Sequence, residues 1–164
     1  MKLRFGILTS SDRSARGERP DLSGPALAEL VADQGWTVVR TTILPDDLGA
    51  LSETLSAWAD GGDLDIILTT GGTGFASCDV APEATRAVIE REAPGLAEAM
   101  RAESLKGTPH AMLSRSVTGI RGKVLIINLP GSPKAAVENL QVIIPVLAHA
   151  VELLQDAPDS EKHH

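Results

Sequence analysis

Two aspartates and a glycine-rich turn are the residues of this chain best suited to chemistry on phosphates. Residues 65–85 read DIILTTGGTGFASCDVAPEAT. Gly71, Gly72 and Gly74, with Thr73 among them, leave a loop nearly free of Cβ atoms, so its N–H groups can approach an anion closely and its backbone can take positive φ. The expected guest is a phosphate. A tight connection between a strand and a helix would use the same glycines, and both the lysine of a Walker loop and the spacing of a dinucleotide fingerprint are missing. Asp79 follows the loop, and Asp46 follows Pro45, 33 positions upstream. Hard oxygen ligands in ones and twos, with phosphate completing the shell, are how Mg²⁺ is commonly held. As plain structure, Asp46 reads equally as a turn residue and Asp79 as a polar cap for the next helix. Cys78 has no histidine near it in sequence to act as a base, His110 being one the fold could bring up, and it reads as an inert thiol.

These residues need a scaffold that gathers separate loops, and the hydrophobic pattern supplies one. Residues 3–9 form an apolar run ending in Ser10-Ser11-Asp12-Arg13, and a loop leads to Ser23, read as the N-cap of a helix with Leu27, Leu30 and Val31 on one face. Residues 36–44 are a second strand closed by Pro45-Asp46-Asp47. The helix after it carries Leu48, Leu51, Leu55 and Trp58 at helical spacing and ends at Gly61-Gly62, with Trp58 read as core. The run before Gly71 is a third strand, short and β-branched in the manner of a buried parallel strand. Pro82 opens a helix with Ala84, Val88 and Ile89 inward, broken at Pro94-Gly95 and resumed through Leu96 and Met100 towards Ser104. Residues 106–109 are loop, and 111–120, without a clear period, read as loop with a short antiparallel strand. Residues 123–128 are a buried strand, and the turn after it leads into a last helix, capped by Ser132 with Pro133 at N1, that runs to about Gln155. Pro145 should kink that helix near Gln141, and its apolar stripe is wide enough to call for a covering surface on the outer side.

Strands alternating with helices predict an α/β fold with a mainly parallel sheet, in which ligands bind beyond the carboxyl ends of the strands. The loops that fall there hold Asp46 and Asp79, with Ser11, Asp12, Asn128, Gly131 and Ser132 as further rim contacts. Residues 1–156 read as one domain, 43% of the chain being apolar with only two Trp and two Phe, as suits a core of Leu, Ile, Val and Ala. A formal charge of −7 without a basic block argues against nucleic acid or an anionic membrane as partner. The lone Cys78 excludes an internal disulfide, and MKLRFGILTSS turns polar too soon for a signal peptide. No apolar run is read as approaching the roughly 18 residues that cross a bilayer, so the expected location is cytoplasmic. Residues 157–164 read as a disordered polar tail whose closing His163-His164, a tag remnant or a native end, is given no metal role.

Taken together, LTTGGTGF…DVAPEAT, ILPDD, ESLKGTPHAMLSRS and IRGKVLIINLPGSPKAA resemble the molybdopterin adenylyltransferase family, in order and over nearly the whole chain. That family comprises the MogA/MoaB-type proteins and the G domains of gephyrin and its plant counterpart. The resemblance implies a three-layer α/β/α domain, commonly a homotrimer. It implies use of ATP and Mg²⁺ to adenylylate the terminal phosphate of molybdopterin, with release of pyrophosphate and hand-over to a molybdate-insertion protein. By position it implies Asp46 and Asp79 as catalytic, metal-associated carboxylates, Thr73 as the threonine of the glycine loop, and Ser104 and Ser114 as pterin-site serines. On their residues alone, Ser104 reads as a helix end and Ser114 as a strand edge. Many relatives carry Pro-Arg just before the matching aspartate and threonine two residues after it, where this chain has Ser77-Cys78 and Ala81. The first departure removes a phosphate clamp, and the second forfeits about 1 kcal/mol of helix capping. A protein that holds pterin or nucleotide without turnover, or a trimeric scaffold, would use the same fold.

Overall fold

The computed structural model describes residues 1–156, and the tail expected at 157–164 lies outside the described residues. β1 (Arg4–Ser10) leads through a short α1 (Asp12–Ala15) to α2 (Ser23–Asp33) and β2 (Thr37–Leu44). α3 (Leu48–Asp60), β3 (Ile66–Thr70), α4 (Ala81–Val88), a two-residue β4 (Arg91–Glu92) and α5 (Pro94–Leu105) follow. A 3₁₀ turn (Pro109–Leu113), β5 (Thr118–Arg121), β6 (Val124–Leu129) and α6 (Pro133–Leu154) come last. The sheet runs β2-β1-β3-β6-β5-β4; the first four strands are parallel and the last two form an antiparallel edge.

Strand alternation assigns the two faces. Phe5, Ile7, Ile66, Leu68, Leu125 and Ile127 pack against α2, α5 and α6, whereas Leu8, Ile67, Val124 and Ile126 pack against α3 and α4. The result is the three-layer α/β/α arrangement. Trp58 covers the second cluster and is half-buried, with Arg40 lying 5.8 Å over its ring. Gly6 makes room for it, since a Cβ there would meet Trp58 and Leu64 at 2.9 Å.

Several local expectations are corrected. Ser23 is the first residue of α2 rather than its cap; Asp21 does the capping, accepting from the Gly24 N–H at 3.1 Å and from the Thr9 hydroxyl at 2.9 Å. The stretch after Ser11 coils into α1 because the Ser11 hydroxyl caps the Ser14 N–H at 3.1 Å. α4 ends at Val88, well before Pro94, since residues 90 and 93 give their N–H groups to Ile120 and Thr118 and so join the sheet. Ala81 forfeits no cap: Val80 holds that position, and the Ala81 N–H bonds the Gly72 carbonyl at 3.1 Å.

Ser132 does cap α6, and the helix continues through Pro145. At 22 residues α6 is long and apolar enough to cross a bilayer, contrary to the sequence reading. Its Ala136, Leu140, Ile143, Leu147 and Val151 are buried on the sheet, so one side of this apolar length serves the core.

Candidate active site

β1 lies between β2 and β3, so the chain leaves it on one side and returns on the other. The crevice at such a reversal is where open α/β sheets hold ligands. A cleft of about 650 Å³ opens there, lined by residues 9–14, Asp46, residues 70–72, Cys78, Asp79 and residues 131–133. The loops meet backbone to backbone. Gly71 has φ of 95°, donates its N–H to the Leu129 carbonyl at 3.1 Å, and leaves no space for a Cβ against the Ser10 carbonyl oxygen. On its other side a Cβ at Gly131 would lie 3.2 Å from the Gly71 Cα. Glycine is required at Gly71 both by the left-handed backbone and by this contact.

The two carboxylates are held differently. Asp46 accepts from the Ser10 hydroxyl at 2.6 Å and the Asp12 N–H at 3.2 Å, and its own N–H bonds the Asp12 carboxylate at 2.8 Å. It is thereby tied to the end of β1. Asp79 Oδ2 accepts from the Ala76 N–H at 3.0 Å and packs on Gly74, where a Cβ would sit 2.9 Å away; Oδ1 takes no hydrogen bond among the described residues. Among the described residues no group of three or more His, Cys, Asp or Glu gathers to cage an ion. One or two carboxylates facing a cleft of this size is a donor set that fits Mg²⁺ held jointly with substrate phosphates.

Ser11, Asp12, Asp46, Gly71, Gly72, Asp79, Gly131 and Ser132 therefore share one cleft. Thr73 and Gly74 are outside its lining; Thr73 is 8% exposed, and its carbonyl accepts from the Arg115 N–H. Ser104 and Ser114 also lie off it. The Ser104 hydroxyl accepts from Asn139 on α6 at 3.0 Å, and Ser114 pairs with the Ser116 hydroxyl at 3.2 Å. Asn128 is corrected from rim contact to internal tie. It is fully buried, its amide donates to the Thr69 and Thr85 hydroxyls, both at 2.9 Å, and its oxygen accepts from the Val117 N–H.

Sequence reasoning missed the cations. Arg13, Arg16 and Arg19, three residues apart, all line the cleft. Arg16 pairs with Glu18 at 2.9 Å, which raises its pKa, whereas Arg13 and Arg19 are exposed with no ion pair among the described residues. Their regular spacing was the available signal. Arg115 was also overlooked; it bonds the glycine loop and pairs with Glu83, whose carboxyl it holds below its ordinary pKa. That pair is intact at neutral pH and gives way only as acid titrates Glu83.

A family model described as "Probable molybdopterin binding domain" matches residues 6–149. The chain belongs to this molybdopterin-binding family. Within the family, the crystal structure of the molybdopterin biosynthesis enzyme MoaB from Thermus thermophilus is 49% identical, with a TM-score of 0.88 over 94% of this chain and 97% of that one. The molybdopterin adenylyltransferase of Helicobacter pylori strain J99 is 40% identical over 154 residues, covering 93% of this chain and 88% of that protein. The molybdenum cofactor synthesis protein cinnamon of Drosophila melanogaster is 46% identical over 155 residues, 94% of this chain, which spans only 26% of that longer relative; for Dictyostelium discoideum gephyrin the share is 23%.

Proposed function

We propose that this chain is a molybdopterin adenylyltransferase, moving AMP from ATP to the terminal phosphate of molybdopterin and releasing pyrophosphate. The observation that carries the reading is the shared cleft at the strand reversal, where two aspartates, a Cβ-free turn and three arginines face one space. An oxygen of the pterin phosphate attacks the α-phosphorus of ATP, and the bond from that phosphorus to the bridging oxygen of pyrophosphate breaks. Both partners are anions, so the protein's task is alignment and charge neutralisation rather than activation of a nucleophile. Gly71 and Gly72 let the phosphates approach the backbone, and Arg13 and Arg19 stand free to take the departing pyrophosphate. These arginines supply the cations that Ser77-Cys78 lacks. Asp46 and Asp79 would hold Mg²⁺, which when bound neutralises the phosphate oxygens. Ser104 and Ser114, outside the cleft, are assigned to the pterin.

The direct test mixes the protein with ATP, Mg²⁺ and molybdopterin and follows pyrophosphate. Release that requires all three supports the reading; molybdopterin binding without release would make this a binding protein instead. Cys78 is exposed in the cleft wall, and among the described residues no histidine lines that wall. Cys78→Ser is therefore expected to keep turnover within about threefold, whereas a hundredfold loss would give the thiol a chemical role.

The proposed enzyme is cytoplasmic and homotrimeric and passes its product to a molybdate-insertion protein. Support for assembly is the outer side of α6, where Val146 is 49% exposed and Leu153 is half-buried, together with exposed Val39 and Ile43 on edge strand β2. Light scattering is expected to return three chain masses, and a monomer at micromolar concentration would remove the trimer.

A further inference from the structure

Between the glycine loop and α5 runs a strap, residues 114–116, with no regular secondary structure and fastenings on both sides. From α5, Arg101 donates to the Ser114 and Ser116 carbonyls, both at 3.1 Å. On the other side Arg115 reaches across to the site. Its backbone N–H bonds the Thr73 carbonyl at 2.9 Å, its Nε bonds the Gly74 carbonyl at 2.7 Å, and its Nη2 bonds the Asp79 carbonyl at 2.7 Å. The far side of the fork grips Glu83 on α4 at 2.7 and 3.1 Å. Four of the five guanidinium N–H donors are thus committed to protein, so this arginine is not a phosphate ligand.

The two carbonyls it joins are the first and last of the turn that carries Asp79. Residues 75–78 of that turn are exposed, and besides Arg115 it is held chiefly by two bonds between Asp79 and Ala76. Little apolar burial fixes it, so a planar fork bridging its ends decides where the Asp79 carboxylate points. Ser114 is the next residue along the strap.

Resting on the adenylyl-transfer reading of the cleft, we propose that Arg115 is a positioning residue. It sets the 74–79 turn so that Asp79 addresses the metal and phosphates, and it ties that turn to the strap bearing Ser114.

Three variants test this: Arg115→Ala, Arg115→Lys, which keeps a charge but loses the fork, and Glu83→Gln, which keeps both carbonyl contacts. Both Arg115 variants are expected to hold kcat about 30-fold or more below wild type with KM for molybdopterin within about threefold. Both should also need about tenfold more Mg²⁺ for half-maximal turnover, while Glu83→Gln stays within about threefold of wild type. Full recovery by Arg115→Lys, an unchanged Mg²⁺ requirement, or a rate loss that merely follows the melting temperature would overturn the proposal. Should Arg115→Ala not fold, the Lys variant carries the test. If wild type itself releases no pyrophosphate, the transferase reading is what fails, and calorimetry of ATP with Mg²⁺ still decides the role of Arg115. About tenfold weaker Mg²⁺-dependent binding in the Arg115 variants supports it, and equal affinity overturns it.

Discussion

Asp79→Asn is expected to leave molybdopterin binding nearly unchanged while cutting pyrophosphate release by about 10²- to 10³-fold, on the order of 3–4 kcal/mol of transition-state stabilisation. The substitution removes one charge and keeps the shape. The amide oxygen can still accept from the Ala76 N–H, so the turn and the packing on Gly74 survive. What is lost is the anionic oxygen left free to meet a divalent cation, and raising Mg²⁺ should restore part of the rate. Asp46→Asn is expected to show a rate loss of similar size. Its contacts also survive, because the Ser10 hydroxyl can turn from donor to acceptor while the Asp12 N–H keeps an oxygen partner. Pyrophosphate release and pterin binding, measured on each variant beside a melting curve, check this. Pterin binding abolished with transfer retained would move both aspartates into the pterin pocket.

Gly71→Ala is expected to be the most damaging small substitution in the site. Its φ of 95° strains any L side chain, and the new methyl would run into the Ser10 carbonyl, which is backbone and has no rotamer to yield. Relief requires β1 to part from β3 at the mouth of the cleft, or Gly131 to give way on the other side. Strain and overpacking together come to about 3–5 kcal/mol of folding stability, and the surviving fold should have no measurable pyrophosphate release. Gly95→Ala is the control. Nothing lies within 4 Å of a Cβ there, the position is in the first turn of α5, and alanine should be neutral or stabilise by up to about 1 kcal/mol. Denaturant midpoints for the pair measure the contrast, and equal midpoints would show that the Gly71 contact is soft.

The strands, the long helices and the gathering of loops at one rim were legible in residue pattern because each depends on neighbours in the chain. What escaped the sequence depends on distant partners. Asn128 ends an apolar run, and a run that is apolar on both faces does not say which way its last polar residue points; the buried Thr69 and Thr85 hydroxyls, 59 and 43 residues away, settle that. Arg115 shows no local pattern either, since its carbonyl acceptors lie 41 and 36 residues back. The early end of α4 likewise follows from a strand, β5, that is encoded some thirty residues later. Arg13, Arg16 and Arg19 are different, because their spacing was visible. What the spacing does not say is that the segment before α2 turns all three towards the cleft, which the fold alone decides.

The parallel pairings that bring the strand ends together join residues far apart in the chain: Phe5 with Ile66, and Ile66 with Leu125. Each closes a loop of roughly sixty residues, an ordering cost that contacts nearby in sequence do not help to offset. The cleft is complete only when residues 131–133, made after β6, join those from β1 to Asp79, so an emerging chain lacks part of the lining until the turn before α6 has been made. On the adenylyl-transfer reading, nucleotide would meet its full site only in the finished fold. There it would stabilise the fold in proportion to the logarithm of its concentration above the dissociation constant.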